Sequence, residues 1–442
     1  MYAKGGKEVK VNMTLKFIPE IHFKRTAIGE IPKDWEVKKI RDFYNLKYGI
    51  TVSSNVDGNC RLLRQTDLKE GTIDPASIPY AEIEIDKIEK YLLKEDDLVI
   101  SRIANVGSIG YVDFRILKSV DKPLIFGSYL LKFEKVKEIH NKFTFYFLFS
   151  SQMQDYIKSI AEGSTRQNTN AKVAGEFPLC IPPSFDEQSR IATVLSWFDD
   201  LIENKKRQNE ILEKTAMAIF KSWFVDFEPF QNEEFVYSEE LGREIPKGWE
   251  VKKLRKVVRS QYGFTASAEE RGEIKFLRIM DINKSFVIDW DVAPFCSIKD
   301  GTLSKYQLKD GDIVISRIGD IGKVAIIENP PKGVFASYLI RLNIKDSKIT
   351  PYYLYYWLKG PDYQKYIQGA AEGSTRQNTN AEVIKAGPIL IPSQDVLKRF
   401  EKIVFSLRQK IILNQKEIMI LRKARDALLP KLVFGKIRVV EI

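Results

Sequence analysis

A chain of 442 residues, 44% hydrophobic and 29% charged, is long enough for two or three domains with their own cores and has the make-up of globular protein. No apolar run nears the roughly 18 residues of a membrane span, and the N-terminal stretch lacks the apolar segment of a signal peptide. Three scattered cysteines (Cys60, Cys180, Cys296) and two histidines (His22, His140) exclude a disulfide scaffold and a structural zinc site, and point to the reducing cytoplasm. The 70 Lys and Arg against 59 Asp and Glu give a net charge of +11, which favours an anionic partner, nucleic acid first.

In chain order, an extension over 1–30 leads into a globular segment at 31–183. Its short β-rich runs, such as Asp97-Leu98-Val99-Ile100, are separated by Gly, Pro and Asn turns, and an aromatic helical stretch follows at 143–158. Ser184 with Glu187 three residues on, just after Pro182-Pro183, is a capping box. It opens a helix over 184–225 whose apolar residues keep a helical period: Ile191, Leu195, Phe198, Ile202, Ile211, Leu212, Ile219, Trp223. A linker at 226–244 precedes a second globular segment, 245–392, with Asp312-Ile313-Val314-Ile315 and an aromatic stretch at 352–367. A second helix follows over 393–434, with Phe400, Ile403, Val404, Leu407, Ile411, Ile420, Leu421 and Leu428, and then a tail at 435–442.

The two series are copies of one unit. IPKDWEVKKI at 31–40 returns as IPKGWEVKKL at 245–254, YGIT at 48–51 as YGFT at 262–265, and LLKEDDLVISRI at 92–103 as QLKDGDIVISRI at 307–318. AEGSTRQNTNA at 161–171 returns unchanged at 371–381. A period this long is domain duplication, not a solenoid. The predicted class is α/β (α+β): two similar globular domains separated by two long helices in a pseudo-twofold tandem repeat. Each helix is about 60 Å long at ~1.5 Å per residue, and its single apolar stripe is buried most economically against the other helix, as an antiparallel coiled coil; packing of each helix on its own globular domain is the alternative. Both stripes are interrupted at matching places, by ENKKRQNE at 203–210 and LNQKEIM at 413–419, so these polar breaks meet and fix register. Because the stripes match, a fragment of residues 1–230 is expected to pair with a second copy of itself, at about 1.5 kcal/mol or less per apolar swap.

Catalytic signatures fail one after another. No phosphate-binding G-x-x-x-x-G-K-[ST] exists, and Asn329-Pro330-Pro331 is followed by Lys332, where an adenine methylase needs an aromatic ring. The predicted catalytic and metal-ligand sets are therefore empty. The residues that stand out suit nucleic acid. The repeated polar loop presents Ser164, Thr165, Arg166, Gln167 and Asn168, and again Ser374, Thr375, Arg376, Gln377 and Asn378. Arg binds guanine and Asn or Gln binds adenine bidentately, while Ser and Thr suit phosphates. A structural turn capping the next element is the plainer alternative. Ser101-Arg102 and Ser316-Arg317 each end a strand before a GxxG turn, at 107–110 and 319–322. Arg64, Gln65 and Thr66 correspond to Arg278, Ile279 and Met280, where only the first copy offers side-chain hydrogen bonds. The copies diverge most at 53–62 against 267–276 and at 111–122 against 326–334, and any difference in what the two copies bind is expected in the first of these pairs and at Gln65 and Thr66 against Ile279 and Met280.

The order IP-x-x-W-E-V-K-K, S-R-I, G-S-T-R-Q-N-T-N, then I-P-P with Glu187-Gln188-Ser189-Arg190-Ile191 and a long helix, most of it repeated, resembles the DNA sequence-specificity subunit of type I restriction-modification enzymes. The likeness covers the chain from about residue 14 onward; the E-Q-x-x-I signature is replaced by Asp395-Val396-Leu397-Lys398-Arg399 in the second copy. The resemblance implies two target-recognition domains, each reading half of a bipartite double-stranded DNA site, and spacer helices that set the gap. It implies assembly in a prokaryotic cytoplasm with two methylation subunits and with restriction–translocation subunits. S-adenosylmethionine, ATP and Mg would belong to those partners, and this chain would bind no cofactor. A tandem RNA-binding module built on the two GxxG turns is the alternative, but the flanking helical pattern of such modules is missing.

The duplicated loop generates the first prediction. Arg166→Ala or Arg376→Ala weakens duplex DNA binding by about 1–3 kcal/mol if the guanidinium is bidentate to guanine. Titration of cognate DNA checks this; wild-type affinity in both folded variants makes the loop structural.

Overall fold

The structure is a computed structural model describing residues 14–69, 71–162, 168–283, 285–372 and 378–441. It divides into two compact units, residues up to 202 together with those from 420, and residues 203–419.

In unit 1 a four-stranded antiparallel sheet runs in the order Ile109–Tyr111, Leu98–Ser101, Leu130–Lys135, Tyr44–Tyr48. Leu98–Ser101 is buried along its whole length, which is why it reads as a continuous apolar run. A second sheet pairs Leu124–Phe126 in parallel with Cys60–Leu63, and Glu36–Lys39 pairs with Pro178–Ile181. Unit 2 repeats the plan with Val324–Ile326, Ile313–Ser316, Leu339–Ile344 and Val258–Tyr262, with Lys275–Leu277 parallel to Gly333–Phe335, and with Glu250–Lys253 against Pro388–Ile391.

Each predicted aromatic stretch is two helices, not one: Asn141–Phe149 then Ser151–Glu162, and Pro351–Lys359 then Pro361–Glu372. The first breaks at Ser150, whose hydroxyl donates to the Phe147 carbonyl at 2.6 Å. The second breaks at Gly360, where a Cβ would lie 2.9 Å from the Phe220 ring. Pro351–Lys359 is buried on all sides, and its polar tips are satisfied: Tyr353 Oη donates to the Leu390 carbonyl at 2.6 Å and Trp357 Nε1 to that of Pro388 at 2.9 Å.

The long helices span Phe185–Phe224 and Gln394–Val433, and each contributes one part to each unit. In unit 1, Ile191 and Leu195 of the first helix share a core with Leu429, Leu432 and Val433 of the second; Phe198 and Leu428 are half-buried against it. In unit 2, Ala216, Phe220 and Phe224 meet Val396, Phe400 and Val404, with Ile219 and Leu407 half-buried. Each helix part therefore packs on its own globular domain and on the other helix together. Ile202 and Ile411 are buried, and Leu212 and Leu421 half-buried, whereas Ile211, Ile403 and Ile420 of the predicted stripe are exposed. The helices pair antiparallel in unit 2: Lys205 with Glu417, Asn209 with Asn414, Glu213 with Arg408. The polar breaks do meet there, with Asn414 Nδ2 donating to Asn209 Oδ1 at 2.8 Å, both side chains buried.

The extension and the tail are not separate appendages. Leu15–Pro19 pairs antiparallel with Ile437–Glu441. Arg438 in that strand donates to Glu187 (2.6 and 3.0 Å), to Asp34 (3.0 Å to each oxygen) and to Glu20 (3.1 Å). This explains the unequal signatures: Glu187 exists to hold Arg438, and Gln188 accepts from the His140 amide at 3.0 Å. At the offset of 209 that matches Ile191 with Phe400, their second-copy counterparts are Val396 and Leu397, one place on from the Asp395–Arg399 run set against the signature by sequence; both are buried apolar side chains, and the residue in the place of Arg438 is Pro229.

Unit 2 centres on a fully buried cation. Arg408 Nη1 donates to Glu213 at 2.8 Å and Nε to Glu328 at 3.1 Å, with Nη2 also on Glu328. Glu213 further accepts from Tyr355 Oη (3.0 Å), Tyr356 Oη (2.8 Å) and Lys359 Nζ (2.5 Å). Burial alone would push the Glu213 carboxyl up; the Lys359 and Arg408 charges outweigh it and hold it below the usual range. Arg408→Leu takes the guanidinium from Glu328 and one of two cations from Glu213, so it lowers stability by about 3–5 kcal/mol in denaturant unfolding; a loss below about 1 kcal/mol would show that the network contributes little.

Candidate nucleic-acid interface

The central strand of each unit ends in an arginine, and the backbone around it is held identically in the two copies. The Arg102 amide donates to the Tyr129 carbonyl at 3.0 Å, and its carbonyl accepts from Thr169 at 2.8 Å; Arg317 does the same with Tyr338 (3.0 Å) and Thr379 (2.8 Å). The guanidinium carbon lies 5.2 Å from the Tyr48 ring centroid in unit 1 and 5.3 Å from the Tyr262 ring in unit 2. Those rings are fixed in turn: Tyr48 Oη accepts from the Ala171 amide at 3.0 Å and Tyr262 Oη from the Ala381 amide at 3.1 Å. Tyr48, Tyr129, Tyr262 and Tyr338 are all well exposed. The result, twice, is a guanidinium over one partly exposed ring, with a second exposed tyrosine bonded to the arginine through its backbone, beside a polar loop, a combination suited to phosphate and base faces.

The polar loop joins this cluster through its described end. Asn168 bridges Ile103, Asn378 bridges Ile318, and both asparagines are exposed. Arg317 Nη1 donates to Asn378 Oδ1 at 3.1 Å and its Nε to the Ser337 carbonyl at 3.0 Å, whereas Arg102 Nε is buried with no partner among the described residues. Asn170 and Asn380 cap the short helices Ala171–Gly175 and Ala381–Ala386, so this part of the loop is structural. Ser164, Thr165, Arg166, Gln167, Ser374, Thr375, Arg376 and Gln377 lie outside the described residues.

Two sequence expectations need correction. Ser101 and Ser316 are buried, and their hydroxyls donate to the carbonyls of Ile103 (3.0 Å) and Asp320, so they shape the strand end and reach no ligand. The two GxxG runs are also not equivalent. The matching glycines are Gly107 (φ +91°) and Gly322 (φ +83°), where a Cβ would strike Ile157 and Ile367 at 2.8 and 2.9 Å. Gly319 (φ +69°) corresponds to Ala104, itself left-handed at φ +60°.

Arg64 and Arg278 are each clamped on an acid. Arg64 donates to Asp67 at 2.9 and 3.1 Å, and Arg278 to Asp281 at 3.1 and 3.2 Å. The Asp67 partner raises the Arg64 pKa further. Next to these clamps, Thr66 and Met280 are exposed, and Gln65 Oε1 lies 3.5 Å from Ser101 Oγ, which ties this segment to the strand end. In unit 2, Asn283 Nδ2 donates to Asp320 at 2.8 Å and makes the corresponding link. The other divergent pair turns towards the helices: Arg115 donates to Asp200 at 2.8 Å, and Glu328 holds Arg408. The four tyrosines were missed from sequence, although Tyr48 and Tyr262 open the repeated YG-x-T, and Tyr129 and Tyr338 close FGSY and FASY.

Since Arg102 and Arg317 match in sequence and setting, they serve a contact common to both units. Arg102→Ala and Arg317→Ala each weaken cognate and non-cognate duplexes alike and lower the salt slope by about 1. Titrations across a salt series check this; a loss confined to one sequence marks a base contact instead.

The chain matches the family described as type I restriction modification DNA specificity domain twice, over residues 32–214 and 246–421. It is 36% identical to the type I restriction enzyme MjaIX specificity subunit of Methanocaldococcus jannaschii, over 97% of this chain and 99% of that one. It is 26% identical to the HindI specificity subunit of Haemophilus influenzae, over 79% and 88% of the two chains. The crystal structure of a type I restriction-modification S subunit from M. genitalium aligns with 90% of this chain and 96% of that one, at 19% identity and a TM-score of 0.49. With two family matches in tandem and a relative this similar from end to end, the chain belongs to the type I restriction-modification specificity-subunit family.

Proposed function

We propose that this specificity subunit binds a bipartite double-stranded DNA site, each unit reading one half, and carries the subunits that modify and cut the DNA. The observation that carries the reading is the duplicated cluster of strand-end Arg, stacked Tyr and exposed Asn, in a chain of this family. The RNA-binding alternative has lost its footing: its two GxxG turns are not equivalent, and the family is one of DNA specificity domains.

Catalysis falls to the partners. The chain itself holds no S-adenosylmethionine, ATP or Mg; two methylation subunits and the restriction–translocation subunits supply that chemistry, in a prokaryotic cytoplasm. No helix among the described residues is long and apolar enough to cross a membrane. Exposed apolar side chains on the paired helices support docking of the methylation subunits: Trp197, Leu201 and Ile420 in unit 1, and Ile211, Phe405 and Leu413 in unit 2.

Purified alone, the chain neither methylates nor cleaves DNA, with or without S-adenosylmethionine and ATP. Co-expressed with an adenine methylase subunit of this system, it directs methylation to an interrupted, asymmetric sequence. Turnover by the isolated chain, or a methylome without a bipartite motif, would overturn the reading.

A further inference from the structure

The long helices have interchangeable apolar stripes, but the charges paired between them are not interchangeable. In unit 1 the first helix supplies the acid: Asp199 accepts from Arg425 of the second helix at 2.7 Å and from Tyr146 Oη at 2.5 Å. In unit 2 the first helix again supplies the acid, Glu213, and the second again supplies the arginine, Arg408. An offset of 209 relates the helices, so a second copy of the first helix can be threaded in place of the second by sequence alone. Arg425 then becomes Ala216, Arg422 becomes Glu213, and Arg408 becomes Asp199.

A first helix paired with its own copy would bring Glu213 to the aromatic helix of unit 1. There Tyr355, Tyr356 and Lys359 are replaced by Phe145, Tyr146 and Phe149. Four donors around a buried carboxylate would shrink to one hydroxyl, and Asp199 would stand where Arg408 stood. Two carboxylates that have lost their arginines, with nearby Arg115 already engaged by Asp113 and Asp200, strongly oppose association. A self-paired second helix fails in the opposite sense, with Arg408 facing Arg422. The buried Asn209–Asn414 pair adds to the choice, because in a self-paired first helix Asn209 would face Lys205.

We infer that Asp199 and Glu213 on one helix, and Arg408 and Arg425 on the other, form a recognition code that admits only the mixed helix pair. Half of the chain does not rebuild the seam with a second half of the same kind. Such a code runs against the self-pairing of fragment 1–230 expected from the matched stripes, and it does not depend on what the units bind. The code selects which helix is accepted, not which molecule supplies it.

The test uses the full chain with a protease site replacing the exposed residues 231–234. The folded chain is cut, the pieces are allowed to exchange in sub-denaturing urea, and native mass spectrometry counts the pairs. Wild type gives mixed pairs, with N-terminal/N-terminal pairs suppressed at least about a hundredfold below indifferent pairing. The strand pair Leu15–Pro19 with Ile437–Glu441 also favours mixed pairs, but equally in every variant, so comparison between variants isolates the charges. Glu213→Gln and Asp199→Asn together raise the N-terminal/N-terminal fraction about tenfold or more. Asp199→Asn alone, at a partly exposed site that tolerates the change, raises it in the same direction. Statistical pairing in wild type, or variants that leave the fraction unmoved while the uncut chains melt as folded proteins, would overturn the inference.

Discussion

A guanidinium with no exposure to water tolerates no slippage, and Arg408 imposes that condition on unit 2. Sliding the second helix by one turn, about 5.4 Å, would leave Arg408 without a partner in apolar surroundings and take the guanidinium from both Glu213 and Glu328. The same Glu213 that holds Arg408 is held by Tyr355, Tyr356 and Lys359, so helix register and the seat of the aromatic helix are one constraint. The aromatic helix packs on the strands Ile313–Ser316 and Val324–Ile326, the first of which ends at Arg317. A chain of buried contacts therefore runs from the helix seam to the strand-end arginine. Unit 1 repeats the path with Asp199, Arg425 and Tyr146, using fewer donors and less complete burial.

The consequence for recognition is rigidity at the conserved-looking part of each site and freedom beside it. Arg102 and Arg317 are fixed by backbone bonds on both sides and by a ring whose hydroxyl is itself anchored. A group held this firmly is suited to a contact whose geometry does not vary, such as a backbone phosphate. Ala104, in the left-handed region where the other copy has Gly319, shows the strand-end turn being kept in shape even at a residue that resists it.

Repetition made the architecture readable from sequence. A constant offset identified two units, and helical periodicity placed both long helices within a residue or two of their observed ends. Periodicity fails where burial is polar. Glu213 and Arg408 lie in the seam although each reads as a solvated face, while Ile211 and Ile420 read as core and are exposed; only the match between the two polar breaks places Asn209 and Asn414 there. A pattern of apolar spacing has no means of finding a buried charge whose partners are more than a hundred residues away, as with Glu213 and Tyr356. The site was half readable for a related reason. Arg102 and Arg317 stood out by chemistry, but Tyr48 and Tyr129 looked like ordinary strand and turn residues until the fold put the Tyr48 ring under the guanidinium and the Tyr129 carbonyl on the Arg102 amide. Ser101 and Ser316 erred in the opposite direction: a strand-end hydroxyl looks available until its own turn consumes it.

What separates the two units must then lie outside what they share. Arg64 on Asp67 and Arg278 on Asp281 are superposable clamps, and the Arg102 and Arg317 settings nearly so, so none of these tells one half-site from another. Immediately beside the clamp the exposed residue is a threonine in unit 1 and a methionine in unit 2. A hydroxyl exchanges hydrogen bonds with base edges, whereas a thioether offers mainly apolar contact, as to a thymine methyl. The loop before the second sheet differs too, with Val56 fully exposed where unit 2 has charged residues, Glu269 to Arg271. The segments 111–122 and 326–334 differ as strongly, yet Arg115 and Glu328 are engaged on the long helices. Divergence there tracks the unequal charges of those helices, so of the two variable regions only the first has reason to vary with the DNA sequence.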